Sequence, residues 1–157
     1  MKPAKFDAAG ASGQTEDTPL TRALAEHHEG LERALEAIAT MCELGQAERL
    51  RVAWNTVERE LVHHLDIEDH CLLGLFEAVQ PHDARGLRDE HQVLRATLFE
   101  LSLAVDLGQL EAERVRAFNL QLAEHGARES QILYPWLERH AGPDVWRSLD
   151  RHVRLVN

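Results

Sequence analysis

The chain has 157 residues, 44% of them hydrophobic and 5% aromatic, with a formal net charge of −10. That length suits one domain with a sizeable core, and abundant Ala, Leu, Glu and Arg favour helix over sheet. The acidic balance argues against nucleic acid or an anionic membrane surface as partner, because phosphate binding needs a basic face, and no apolar run is long enough to span a bilayer.

Residues 1–17 are rich in Ala, Gly, Ser and Thr, lack periodicity and contain no apolar signal-peptide core, so a flexible tail is expected there. The two cysteines, Cys42 and Cys71, are too few for a disulfide framework and match a reducing, cytoplasmic setting. Thr18-Pro19 supplies a helix start, with a hydroxyl N-cap followed by proline. Leu24, Leu31, Leu35 and Ile38 then recur at helical spacing, and Gly45 ends the first helix.

A second helix is expected from Gln46 to Val79, closed by Pro81. A third runs from Asp83 to Asp106 and a fourth from Leu110 to His140. A short fifth helix is expected over Asp144 to Arg151. Short connections between long helices predict an all-α, antiparallel up-down-up-down four-helix bundle. Residues 18–142 would form it, with 143–157 as a C-terminal addition.

The chain also repeats internally. Leu44-Gly45-Gln46 reappears as Leu107-Gly108-Gln109, and the first helical hairpin resembles the second at shifts of 63 and 61 residues.

Ten histidines are the unusual count. The second helix has the inward stripe Trp54, Val57, Leu61, His64, Glu68, Cys71, Leu75. The fourth has Val115, Phe118, Leu122, His125, Glu129, Ile132, Trp136. Both step by three and four, the seam of a bundle. Each therefore carries a His-x-x-x-Glu pair in an apolar seam, the two side chains sharing one face. His28 and His91 occupy matching positions on the first and third helices. His27 fits a second series, Leu20, Leu24, His27, Leu31, so the choice between His27 and His28 stays open at this point.

Six ligand-type side chains thus converge on one level of the core: His28, His64, Glu68, His91, His125 and Glu129. A buried carboxylate loses several kcal/mol of hydration unless it is compensated. Metal cations would compensate the charge and satisfy the imidazole lone pairs. Two histidines per metal with both glutamates bridging would suit iron, with manganese next and a structural zinc site less suitable. The competing readings are a buried proton-sharing network and, separately, a structural helical bundle whose site holds zinc or no metal.

Around these six, His63 and His70 fall beside the seam, as surface groups or as supports of a ligand. Asp66 and Asp69 read as a solvated face, although an acid can orient a ligand imidazole. Arg95 and Arg128 are expected in solvent or in ion pairs at the rim. Tyr134 lies half a turn from the seam and is a poor ligand candidate. Paired Glu-x-x-His motifs of the ferritin type are absent from the seam.

The order His28; His64-x-x-x-Glu68; His91; His125-x-x-x-Glu129, with the text "HLDIEDHCLLGLF" and "EHGARESQILYPWL", resembles the hemerythrin-like, or HHE cation-binding, family from about Leu20 to His140. The resemblance implies a four-helix bundle with a non-haem di-iron centre, its two iron ions bridged by an oxo or hydroxo group and by carboxylate. It implies a small diatomic or peroxide ligand, with O2 carriage, redox or NO sensing and iron–sulfur repair among the family's roles.

Two departures from the oxygen carriers stand out. The third helix has His91-x-x-x-Arg95 where those proteins have a second histidine, and Glu129 follows His125 after four residues where they have aspartate after five. The pattern is similar to that of a bacterial subgroup. A missing ligand favours reaction with peroxide, NO or O2 over protected storage; His27, water or an unforeseen side chain could also fill the place. The expectation is a di-iron protein that binds or senses a small oxidant. The alternative is an oxidoreductase of peroxidase or NO reductase type. Either could act as a homodimer or with a separate protein partner.

Overall fold

A computed structural model describes residues 19–147. The tail expected over 1–17, the Thr18 cap and the end of the fifth helix lie outside the described residues. Those described are helical, without a strand: α1 Pro19–Glu43, α2 Ala47–Ile67, a wide π turn Glu68–Leu72, α3 Leu73–Glu77, α4 Pro81–Asp106 and α5 Ala112–His140. Residues 143–147 begin a further helical stretch where the fifth helix is expected. Among the described residues no helix is long and apolar enough to cross a membrane.

The same turn chemistry closes α1 and α4. Gly45 and Gly108 both adopt φ of 65°, a left-handed value that glycine reaches without a steric penalty. Beyond them, Gln46 N–H donates to Met41 C=O at 3.0 Å and Gln109 N–H to Ala104 C=O at 2.8 Å, so each last turn gains a partner for a carbonyl the helix leaves free. The chain reverses, and α1 packs against α2 and α5 while α4 packs against α2, α3 and α5.

Two apolar clusters fill the interior. One gathers Leu31, Leu35 and Ile38 with Trp54, Leu61, Leu98, Phe118 and Leu122. The other gathers Leu24, Leu72, Phe76 and Leu87 with Leu133 and Leu137. The histidine and glutamate level predicted from the sequence lies between them along every long helix.

The structure corrects the second helix in two ways. It is not continuous to Val79, and Pro81 opens α4 rather than closing the helix before it, matching proline's preference for a first turn. The π turn also changes the face presented to the core. Leu73 N–H bonds to Glu68 C=O, five residues back, so one extra residue is spread over that turn. The inward stripe consequently passes from Glu68 to Leu72 and Phe76, not to Cys71 and Leu75. Cys71 is half-buried and Leu75 is 42% exposed, whereas Leu72 is fully buried.

The fourth helix steps likewise, from Glu129 to Leu133 and Leu137, leaving Ile132 and Trp136 half-buried. There Pro135 has no N–H to offer the preceding turn. The substituted pairs, Leu72 with Leu133 and Phe76 with Leu137, keep the 61-residue offset.

This register makes a paired prediction for chemical denaturation. Leu72→Ala should cost roughly 2–5 kcal/mol as a core truncation, while Leu75→Ala should stay within about 0.5 kcal/mol. The opposite ranking would restore the unbroken helix.

Candidate metal centre

Each predicted side chain arrives from its own turn of helix. His28 comes from α1, His64 from α2, Glu68 from the first residue of the π turn, His91 from α4, and His125 and Glu129 from α5. All six are buried, and both glutamates have no exposed surface. His28, Glu68, His125 and Glu129 each offer a ligand atom within 4.8 Å of the others. His64 and His91 complete the group by contact: His64 Nε2 lies 3.3 Å and His91 Nε2 3.5 Å from Glu68 Oε2.

The imidazoles form two pairs. His28 Nε2 and His64 Nε2 face each other at 3.0 Å, and His91 Nε2 and His125 Nε2 at 3.1 Å. Glu129 reaches both pairs, with Oε2 2.9 Å from His28 Nε2 and Oε1 3.2 Å from His125 Nε2. Glu68 Oε2 likewise lies between His64 and His91. Yet Glu68 Oε2 and Glu129 Oε1 accept no directed hydrogen bond. Buried oxygens in that condition carry a large desolvation cost, and a cation among these nitrogen and oxygen donors would remove it. The donor set therefore fits metal, with no thiolate among the six.

The outward nitrogens decide which tautomer each ring presents inward. His91 Nδ1–H donates to Asp69 at 2.8 Å and His125 Nδ1–H to Glu90 at 2.9 Å, so each can turn an Nε2 lone pair toward the centre. Arg95 binds Asp66 and Asp69 at 2.9 and 3.0 Å, and Arg128 binds Glu90. Behind His64, His27 Nδ1 stands 3.0 Å from the outward Nδ1. His28 Nδ1 has no hydrogen-bond partner and rests against Gly126, where an added Cβ would sit 3.0 Å from it.

The open choice on α1 thus has a geometric answer: His28 enters the level of the glutamates and His27 stands behind it. Arg95 does not turn inward at the position of the missing histidine; it forms the rim ion pairs. Asp69 is not a solvated residue, being bonded to both His91 and Arg95. His70 is exposed, with Nδ1–H donating to Asp66 C=O at 2.7 Å; His63 is half-buried.

Two participants escape the sequence reading. Tyr134 is 4% exposed, and its hydroxyl lies 3.2 Å from Glu68 Oε1 and 3.1 Å from Glu129 Oε2. The stripe's shift on α5 brings this ring inward, against the expectation of a poor candidate. Glu90 is the other; it acts across to a neighbouring helix, which periodicity along one helix does not reveal.

The charges are strongly coupled. Burial alone would push His91 down, but Asp69, Glu129 and Glu68 outweigh it and raise the ring to about 9. His64 and His125 are also raised against burial by the glutamates. Glu129 is held well below its ordinary value by His125, His28 and His91 despite burial. Burial, then the two carboxylate charges, push Tyr134 well up, so it stays a neutral donor. Burial and the neighbouring His64 charge lower His27 to about 4.

In chelator-stripped protein the raised histidines hold protons more tightly folded than unfolded. Their stabilisation is complete below pH 6.5 and lost as the pH rises through about 9. His27, neutral in both states above 6.5, adds no slope there. The denaturation midpoint of stripped protein should therefore fall between pH 6.5 and 9; a flat or rising midpoint would contradict the coupled cluster.

Compared with known proteins, the chain matches the family described as Hemerythrin HHE cation binding domain over residues 20–137, and again over 82–155. No curated protein and no solved structure gives a significant match.

Proposed function

Because this chain belongs to the Hemerythrin HHE cation binding domain family, we propose that it is a non-haem di-iron protein that binds or senses a small oxidant such as O2, NO or peroxide. The observation that carries the reading is the pairing of four buried imidazoles about two buried carboxylates, with an oxygen of each carboxylate lacking a directed hydrogen bond. The scaffold is an antiparallel up-down-up-down bundle of two repeated hairpins over residues 19–142.

His28 and His64 would hold one ion and His91 and His125 the other, with Glu68 and Glu129 supplying carboxylate oxygens to both. Bound iron supplies a redox couple and a coordination position for the small ligand. Nitrogen and carboxylate donors without thiolate suit iron, and manganese more than a structural zinc site.

The chain's own residues fix the rest. Asp69 and Glu90 keep the proton on Nδ1 of His91 and His125, so that Nε2 faces inward. Tyr134 is a neutral hydroxyl donor aimed at both carboxylates, available to a ligand that develops negative charge. The two apolar clusters exclude bulk water above and below. Arg95 is turned to the rim and offers no donor to the centre, so the ions would be held by the six inward donors alone.

Elemental analysis of freshly purified protein, with an absorption spectrum of the same sample, tests the reading. The expected result is about two irons per chain, the occupancy of a di-iron carboxylate centre in a helical bundle. Near-ultraviolet charge-transfer bands that change with azide, NO or peroxide should accompany it. Stoichiometric binding would mark a carrier or sensor, and turnover an oxidoreductase. Zinc, or no colour after anaerobic iron loading, would refute the di-iron assignment.

A further inference from the structure

The four inward nitrogens look alike, but the groups behind them do not. Behind His91 and His125 stand carboxylates, Asp69 at 2.8 Å and Glu90 at 2.9 Å. Arginines hold both in place, Arg95 on Asp69 and Arg128 on Glu90. Behind His64 stands the imidazole of His27, and behind His28 only the backbone of α5 at Gly126. Among the described residues no carboxylate bonds the outward nitrogen of His28 or His64.

Resting on the two-ion reading above, we propose that the centre is two unequal cation positions: the His91/His125 position takes the first divalent ion and the His28/His64 position the second. Asp69 and Glu90 are the positioning residues that set this order.

Three physical effects act in the same direction. An imidazole that donates Nδ1–H to a carboxylate is a more basic ligand at Nε2 than one donating to a neutral group. The carboxylate also fixes ring orientation and tautomer before the ion arrives, so less ordering is left for binding. Finally, the negative charges of Asp69 and Glu90 stand behind the ligand rings and attract a cation through a low-dielectric interior. Arg95 and Arg128 offset part of that charge, yet they keep both carboxylates facing their histidines. At the other position no carboxylate stands behind either ring: His64 faces the neutral partner His27, and His28 must set its own tautomer and rotation when it binds. The shared carboxylates, Glu68 and Glu129, contribute to both positions and do not discriminate.

The test uses chelator-stripped full-length protein titrated anaerobically with cobalt(II), followed by calorimetry and by its visible absorption. Wild type should bind two ions in successive steps of different affinity. Asp69→Asn and Glu90→Gln should each weaken the tighter step by about 10–100-fold and leave the weaker one unchanged. Asp66→Asn, which leaves the Arg95–Asp69 and Asp69–His91 bonds in place, should change neither step. His28→Ala should abolish the weaker step and keep the tighter one.

Circular dichroism of each variant checks that the fold is kept, and Glu90→Gln lies on a different helix from Asp69→Asn if one of them fails to fold. Two ions bound in steps of equal affinity would overturn the order while leaving the two-ion reading intact. So would Asn or Gln variants that weaken the second step or both alike. Saturation at one ion would overturn the two-ion reading and the order together.

Discussion

Glu68 and Glu129 sit in the middle of a helical interior with no exposed surface, and the arrangement around them follows from that burial. An isolated carboxylate there would take up a proton or unfold its surroundings. Four imidazoles close round the pair, which lowers Glu129 and raises three of the rings. Two of the imidazoles have their outward nitrogens satisfied by acids, His91 by Asp69 in the π turn and His125 by Glu90 in the middle of α4. Those acids need countercharge, which Arg95 and Arg128 provide at the rim. One buried pair of charges thus propagates outward through two further layers of polar contact.

How far this was legible in the sequence depended on whether a contact lies along a helix or across helices. The six inward residues could be read because each replaces a leucine-type position in a stripe of three and four. The same stripe failed beyond Glu68 and Glu129. A π turn keeps the composition of an α-helix, and "EDHCL" contains no proline or glycine to announce the change, so Cys71 and Leu75 were assigned to a face that Leu72 and Phe76 occupy. Tyr134 escapes the stripe as well, since the shift on α5, which carries Pro135 and no π turn, brings it round to the centre. Glu90 lies beyond reach on different grounds: its partner is 35 residues away in sequence, and among many surface acids on helices nothing local distinguishes it. Asp69 is legible only as an acid able to orient some ligand imidazole; that the ring is His91, 22 residues on, is decided by packing across helices.

Arg95 shows how a departure from a family pattern can be reused by the fold. At the place where a further histidine would be expected, the longer guanidinium reaches the rim instead and grips two aspartates of the π-turn region. The position adds no donor to the interior, and a clamp is gained on Asp69, which bonds His91. The π turn and Arg95 therefore belong to one device: the turn presents Asp69, and Arg95 holds it.

The six polar residues also cut the interior in two. On one side lies the cluster of Leu35, Trp54 and Phe118, on the other that of Phe76, Leu87 and Leu137. Apolar contact does not run continuously from end to end, so the two ends communicate through the polar layer and the helical backbones that cross it. Cations bound in this layer would act as a rivet, and the helices would melt as one body. Without them, like-charged rings and undercompensated oxygens become a perforation across the bundle, and each end keeps its own core with little reason to unfold in step with the other. The number of bound ions would then set whether the domain behaves as one cooperative unit or as two.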